Sequence, residues 1–131
     1  MAESSEEIVR AFYAAWDTDG FGPAFRDYFH ADGIWQNNAD PPRVGIDRIM
    51  DGVGQYLTVF QRPYAKVELV HVAVNGDVVL TERVEVCENR ETGDTYTGSH
   101  MSAFTIRDGK ILRWADYFDP TDYRNGAALP K

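Results

Sequence analysis

The sequence has few cysteines, few lysines and few histidines. Cys87 is the single cysteine among 131 residues, so no intrachain disulfide can form and a reducing, cytoplasmic location is expected. Lysine occurs three times, and the 13 basic residues stand against 21 acidic ones, giving a net charge of −8. Nucleic acids and anionic membranes are bound by basic surfaces, so we expect neither as a partner.

Long apolar runs and cofactor motifs are also missing. No run approaches the roughly 20 apolar residues of a transmembrane helix, and the acidic first seven residues predict no signal peptide. His30 and His71 have no partners at metal-ligand spacing, and there is no glycine-rich phosphate loop, so we expect neither metal nor organic cofactor. Apolar residues make up 44%, which predicts one folded domain over residues 1–131.

The first half of the chain carries helical signals. Ser4 with Glu7 is a capping-box pattern and predicts a helix that stops near 17–20. Pro23 fits the first turn of a second helix, which should end at 32–33. Apolar residues at helical spacing predict a third helix over 45–60, with a short extended piece at 34–37 in between.

The second half alternates with period two. Strands are predicted over 65–74, 78–88, 95–107 and 110–119, as an antiparallel meander joined by glycine-containing turns, and 121–131 is expected to be a loop or one helical turn. Helices that cover one face of a strongly curved sheet would close a hollow cone. The predicted fold is therefore α+β, with a mainly antiparallel sheet and N-terminal helices closing a deep pocket.

Either face of the strand predicted at 81–87 could be the buried one. Arg83 and Glu85 share one face, and Val84 and Val86 share the other. In most antiparallel sheets the polar face is solvated, which would make the pair a surface feature. In the alternative interpretation the polar face lines a cavity and the valines meet another layer or a second subunit.

The last strand sets a carboxylate among aromatic rings, since Asp116 shares its face with Trp114 and Phe118. Desolvation there would raise the pKa of Asp116 and favour its use as a base. The alternative is a surface Asp116 beside a partly covered aromatic cluster. The planar fork of Arg83 could hold two carboxylates. Two carboxyl groups in one cavity seldom share a pKa, so one would keep a proton and a general acid would face a general base.

Four stretches carry a family resemblance: Trp35-Gln36-Asn37, residues 81–86, residues 114–119 and Leu129-Pro130. Nearly end to end, the chain resembles the limonene-1,2-epoxide hydrolase family within the NTF2-like (SnoaL-like) superfamily. The resemblance implies an NTF2-like cone and a one-step, cofactor-free hydrolysis of a small, mostly apolar epoxide to a vicinal diol. It makes Asp116 the base, Glu85 the acid, Arg83 the bridge between them and Asn37 a holder of the attacking water.

Three positions depart from the family pattern. Glu85 stands where the family has Asp, and a displacement of about 1 Å between reacting groups can cost about a hundredfold in rate. Trp35 replaces a water-holding Tyr, although an indole N–H donates and cannot accept. His100 replaces an apolar pocket residue; a lone histidine on a strand is more often structural than catalytic, so we assign it only to the pocket lining.

Further expectations concern the pocket wall and the assembly. The proposed substrate-contacting residues are Trp35, His100 and seven residues that are equally well explained as core: Tyr13, Trp16, Met50, Val53, Leu57, Trp114 and Phe118. Outward-facing Val84 and Val86 predict a homodimer. Two other functions stay open: another cofactor-free acid/base enzyme of this fold (a SnoaL-like cyclase, an epoxide-opening cyclase or a ketosteroid-isomerase-like enzyme), or a non-catalytic NTF2-like binding or dimerisation module.

Overall fold

The computed structural model describes residues 3–120, without the side chains of residues 59 and 61–66. Its elements, in chain order, are α1 (Ser5–Thr18), α2 (Phe21–Tyr28), β1 (Phe29–Asn37), β2 (Arg43–Val44), α3 (Ile46–Val59), β3 (Phe60–Asn75), β4 (Val78–Asn89), β5 (Thr95–Arg107) and β6 (Lys110–Phe118). Among the described helices none is long and apolar enough to cross a membrane. The prediction for 121–131 lies outside the described residues.

The three helices begin close to where the sequence predicts, but the second ends early. At α1 the capping box is formed: the Glu7 N–H donates to Ser4 Oγ (3.1 Å), and the Ser4 N–H donates to Glu7 Oε1 (3.4 Å). The second helix ends at Tyr28, not at 32–33. Phe29 instead begins β1 and pairs with Ile111 of β6. Pairing with a strand distant in the sequence here overrides the local pattern.

Within the described part of the chain the sheet has six strands where four were predicted. Its order is β2-β1-β6-β5-β4-β3, and β3 to β6 form the predicted antiparallel meander. The two-residue β2 was not predicted, and 29–37 was expected to be extended only over 34–37. This segment is a nine-residue strand that runs parallel to β6. The parallel pair places Trp35 beside Trp114 and Asn37 beside Asp116.

The helices cover the inner face of the sheet with an aromatic core. Phe12 of α1 lies at its centre, and its ring contacts those of Tyr13, Trp16, Phe25, Tyr28, Phe29, Phe104 and Trp114. From α3, Val53 is buried, and Met50 and Leu57 pack partly buried against the same core. The predicted α+β architecture is confirmed.

Strand β4 turns its polar face inward. Thr81, Arg83, Glu85 and Cys87 are all buried. On the opposite face Leu80 is exposed, whereas Val84 and Val86 are half-buried. Of the two interpretations of the alternation, the one that places the arginine and the carboxylate inside is therefore correct.

Candidate active site

Strand register gathers the polar side chains of the inner face into two adjacent rows. Across β4, β5, β6 and β1, the first row consists of Thr81, Ser102, Asp116 and Asn37. In the second row Arg83 pairs with His100, and His100 pairs with Phe118. Directly opposite side chains on one sheet face lie about 5 Å apart, so residues far apart in sequence become neighbours. Glu85 follows two positions after Arg83 on the same face.

Arg83 and Asp116 form a buried two-pronged ion pair. Arg83 Nη1 lies 2.7 Å from Asp116 Oδ1, and Arg83 Nη2 lies 3.0 Å from Oδ2. The guanidinium fork matches a carboxylate in this geometry. The hydroxyl of Ser102 also donates to Oδ1 while it accepts from Arg83 Nη1 (2.8 Å). Only 3% of the Asp116 surface and none of the Arg83 surface is exposed, so the pair is withdrawn from water.

Glu85 completes the ionic cluster on the other side of Arg83. Its Oε2 accepts from Arg83 Nη2 (3.3 Å) and from Nε (3.4 Å). Its Oε1 lies 2.8 Å from His100 Nε2. The other ring nitrogen of this histidine, Nδ1, lies 3.0 Å from Asp116 Oδ2. His100 therefore bridges the two carboxylates that Arg83 also bridges, and all four side chains are nearly or fully buried.

Aromatic rings of the helices and of β6 enclose the guanidinium. Arg83 Cζ lies 5.4 Å from the ring centre of Tyr13, 5.7 Å from Trp16 and 5.4 Å from Trp114. Cation–π attraction at these distances strengthens when water is excluded. The Tyr13 hydroxyl also accepts from Arg83 Nη1 (3.4 Å) and lies 3.3 Å from Thr81 Oγ1. Predicted as an apolar pocket residue, Tyr13 is thus a polar member of the cluster, and burial raises its pKa.

The acidity of Asp116 is opposite to the expectation from its aromatic neighbours. Burial by itself raises the pKa of this carboxyl, but the charge of Arg83 and the hydrogen bonds from His100 and Arg83 outweigh burial. The pKa of Asp116 therefore lies well below its usual range. The prediction of a raised pKa was therefore wrong in its net direction, because Arg83 and the hydrogen bond from His100 outweigh the desolvation on which it was based.

The remaining predicted site residues lie on the inner face of the sheet or in the aromatic core that covers it. Trp35 is buried, its ring stacked on that of Trp114 with centres 5.9 Å apart, and its indole N–H has no hydrogen-bond partner among the described residues. Phe118 packs on the ring of His100 at 4.5 Å. Asn37 is half-buried on the inner face beside Asp116. Met50, Val53 and Leu57 pack against the aromatic core from α3.

Two polar residues of the cluster were absent from the predicted site. Thr81 and Ser102 hydrogen-bond to Tyr13 and to the Arg83–Asp116 pair, respectively. A signal for Ser102 was present, because alternation along β5 places it on the same face as His100. The signal for Thr81 was its position in the inward-facing set of β4. Serine and threonine on a strand give little indication of function in a sequence, although here they complete the hydrogen bonds around a buried ion pair.

Comparisons with known proteins agree on one fold. The sequence model of the SnoaL-like domain matches residues 9–114. A putative SnoaL-like polyketide cyclase from Jannaschia sp. CCS1 has 18% identity and a TM-score of 0.80, with 97% of this chain and 93% of that chain covered. A putative isomerase from Bacillus subtilis has 21% identity and a TM-score of 0.79, with 94% and 91% covered.

An epoxide hydrolase also has this fold. The limonene-epoxide-hydrolase-like (LEH-like) epoxide hydrolase of M. tuberculosis has 22% identity and a TM-score of 0.74, with 93% of this chain and 87% of that chain covered. At such identities the structural likeness shows the fold alone, and the fold is shared by cyclases, isomerases and an epoxide hydrolase. Since the domain model spans most of its length, the chain belongs to the SnoaL-like domain family and has the NTF2-like α+β fold.

Proposed function

We propose that this chain is a cofactor-free epoxide hydrolase of the limonene-1,2-epoxide hydrolase type. The observation that carries the proposal is the buried cluster of Arg83, Glu85, His100 and Asp116. Each ion withdrawn from water costs several kcal/mol, and an apolar replacement of similar volume is often as stable. Buried titratable groups with specific charge partners are typical of catalytic sites. The cluster is therefore better explained by chemistry than by stability.

In the proposed reaction a water molecule attacks one epoxide carbon. A new carbon–oxygen bond forms as the epoxide carbon–oxygen bond breaks, and Asp116 takes the proton that the water loses. Glu85 delivers a proton to the departing epoxide oxygen, so the product is a vicinal diol. Asn37, beside Asp116 on the neighbouring strand, would hold the water, and Arg83 would keep both carboxylates in place.

The surroundings of the cluster favour a small, mostly apolar substrate. The rings of Tyr13, Trp16 and Trp114 lie against Arg83, and Phe118 lies against His100. A ligand that reaches the carboxylates would meet these rings, and apolar walls with few polar groups are typical of small-molecule sites. Proposed substrate contacts are Tyr13, Trp16, Trp35, Met50, Val53, Leu57, His100, Trp114 and Phe118.

Trp35 favours a second candidate, an epoxide-opening cyclase. Its indole lies at the position where the limonene-1,2-epoxide hydrolase family has a water-holding tyrosine, and an N–H cannot accept a hydrogen bond from water. In addition, the ring is stacked on Trp114 and buried. A hydroxyl group within the substrate would need no such holder. In this candidate reaction the acid and the base are the same, but the hydroxyl group of the substrate attacks the epoxide carbon and closes a new ring.

We expect the chain to convert at least one member of a panel of small cyclic and aryl epoxides into a diol. The reaction is run in ¹⁸O-labelled water, and products are analysed by mass spectrometry. The panel includes epoxides that carry an internal hydroxyl group. One ¹⁸O per diol supports the hydrolase, and an unlabelled ring-closed product supports the cyclase. If neither forms, while the same epoxides bind, both candidates fail and a binding module is the remaining explanation.

The exposed face of the sheet supports a proposal for the assembly, a homodimer. Leu80 is 47% exposed, Met101 54% and Tyr117 48%, and they lie on the neighbouring strands β4, β5 and β6. Half-buried Val84 and Val86, expected to form this contact, continue the same face of β4. Contiguous exposed apolar side chains of this kind mark interaction surfaces, and a two-fold pair is the commonest way to cover one.

Sedimentation velocity should give twice the mass of one chain. The variant Met101→Glu, which places a charge in the apolar face, is expected to sediment as a monomer, whereas Met101→Leu should remain dimeric. A wild-type protein that sediments as a monomer at all concentrations up to about 100 μM, well above the Kd expected of a specific interface, would exclude the dimer.

A further inference from the structure

Among Arg83, Glu85, His100 and Asp116, only His100 has no role in the proposed reaction beyond substrate contact. Both its ring nitrogens face carboxylate oxygens: Nε2 lies 2.8 Å from Glu85 Oε1, and Nδ1 lies 3.0 Å from Asp116 Oδ2. The ring is held in this orientation by Phe118, which packs against it. Only 3% of the residue is exposed, so water cannot readily replace either contact.

The two contacts together define the protonation state of the ring. A neutral imidazole carries one N–H and one lone pair, so one nitrogen would turn a lone pair toward a carboxyl oxygen, which is favourable only when that carboxyl carries the proton. In the imidazolium both nitrogens donate, and both contacts become charge-assisted hydrogen bonds. The cluster then holds two cations, Arg83 and His100, and two carboxylates. The four charges then sum to zero, and each ion has an oppositely charged partner, which offsets part of its desolvation cost.

Arg83 does not supply an alternative donor to the ring. Its Nη2 lies 3.2 Å from His100 Nδ1, which would allow a neutral ring to accept there. However, Nη2 has two hydrogens, and two carboxylates compete for them: Asp116 Oδ2 at 3.0 Å and Glu85 Oε2 at 3.3 Å. An acceptor that carries a full negative charge is preferred over a neutral ring nitrogen. If the ring is an imidazolium, the proximity of Nη2 to Nδ1 is a contact between like charges, which the two carboxylates offset.

We propose that His100 holds the acid proton of this site and shares it with Glu85 along the contact between Nε2 and Oε1. Charged groups face the ring from two strands, Arg83 and Glu85 from β4 and Asp116 from β6. Burial lowers the pKa of His100 and so does the charge of Arg83, but hydrogen bonds to Asp116 and Glu85 outweigh both, and the pKa is raised. Electrostatics and hydrogen-bond geometry therefore agree.

The shared proton would couple the acid to the base; this consequence rests on the proposed hydrolysis. As the epoxide carbon–oxygen bond breaks, His100 Nε2 passes its proton to Glu85, and Glu85 passes a proton on to the departing oxygen, so that Glu85 ends as the carboxylate it was at the start. The ring becomes neutral, and a positive charge 3.0 Å from Asp116 disappears. Asp116 then gains proton affinity while it accepts the proton of the attacking water. After the diol leaves, Asp116 releases that proton to water and Nε2 takes one from water.

Nuclear magnetic resonance of the substrate-free wild-type protein tests the inference directly. Ring ¹⁵N shifts of His100, assigned through bonds to its own backbone, are measured from pH 5 to pH 10. We expect both ring nitrogens to be protonated at pH 7.5, where an ordinary histidine with a pKa of about 6.5 is about nine-tenths neutral. The variant Glu85→Gln should lower the midpoint of this titration by about one pH unit or more. A neutral ring at pH 7.5 in the wild type overturns the proposal.

The kinetic readout separates this inference from the proposed function. For an epoxide that is turned over, kcat/KM should fall at alkaline pH with the midpoint of the His100 titration. In His100→Gln this alkaline decrease in kcat/KM should vanish, and kcat should drop about a hundredfold. If kcat/KM of that variant still fell at the same alkaline pH as in the wild type, the proposal would also be overturned. If the ring is an imidazolium but no epoxide reacts, the proposed function fails, and the shared proton remains established.

Discussion

Replacing Asp116 by asparagine is expected to lower kcat/KM for epoxide hydrolysis by about a thousandfold, within the range that a positioned general base contributes. The amide has nearly the same shape and can still accept a hydrogen bond from Arg83, whose Nη1 lies 2.7 Å from Oδ1 in the wild type. It cannot take a proton from water. Steady-state rates on a turned-over epoxide, measured at the wild-type optimum pH, give the effect directly.

Two controls keep this result interpretable. Asp47→Asn makes the same change of charge at an exposed position in the first turn of α3 and should leave kcat/KM within about twofold of the wild type. Thermal unfolding of Asp116→Asn should show a single cooperative transition at a lower Tm, because Arg83 and His100 lose an ionised partner. Turnover within about tenfold of the wild type in a folded Asp116→Asn variant would remove Asp116 from the role of base.

Local sequence patterns were sufficient for most of the fold. The capping box at Ser4, the helical spacing of α3 and the period-two alternation of β4 each report on neighbours within a few residues, and each agrees with the structure. Strand β1 was underestimated because its partner, β6, lies about 80 residues away in sequence. A parallel pairing over that distance is not indicated by the local sequence pattern of either strand.

The candidate site depends on register that a sequence does not reveal. The tight turn at 108–109 pairs Arg107 with Lys110, and a regular hairpin would continue to pair Ser102 with Ala115. An irregularity between Thr105 and Ile106 shifts the register by one residue, so Ser102 faces Asp116 instead. One extra residue in one strand of a pair is a β-bulge. Its position cannot be read from composition, yet it places the hydroxyl of Ser102 on the carboxylate.

The acidity of Asp116 illustrates the same limit for electrostatics. Its neighbours along the strand, Trp114 and Phe118, are aromatic and predict a raised pKa. The partners that decide the outcome are Arg83 and His100, which stand 33 and 16 residues away in sequence. A charge within hydrogen-bond distance outweighs the desolvation that apolar neighbours cause. A sequence can therefore indicate that a carboxyl group is buried while the direction of its pKa shift is predicted wrongly.

Replacing Arg83 by methionine is expected to cost about 3 to 5 kcal/mol of unfolding free energy at pH 7, the usual cost of removing one partner from a buried ion pair. Methionine is long and apolar enough to occupy the space among Tyr13, Trp16 and Trp114. The cost would therefore come from the loss of charge, since Asp116 and Glu85 would retain only His100 as a cationic partner. Urea denaturation at pH 7 measures the loss, and Arg107→Met, at an exposed position on β5, should stay within about 0.5 kcal/mol of the wild type.

The pH dependence of this loss separates charge from packing. In the wild type the folded pKa of Asp116 is lowered, so its contribution to stability is present above the unfolded pKa of about 3.9 and declines as the pH falls. Without Arg83, burial acts on the carboxyl with less opposition, and ionised Asp116 becomes a penalty that grows as the pH rises. The stability difference between wild type and Arg83→Met should therefore be smaller at pH 4 than at pH 7. A difference that is the same at both pH values would mean that Arg83 stabilises the fold by packing, and that the ionic cluster is not what holds the carboxylates in place.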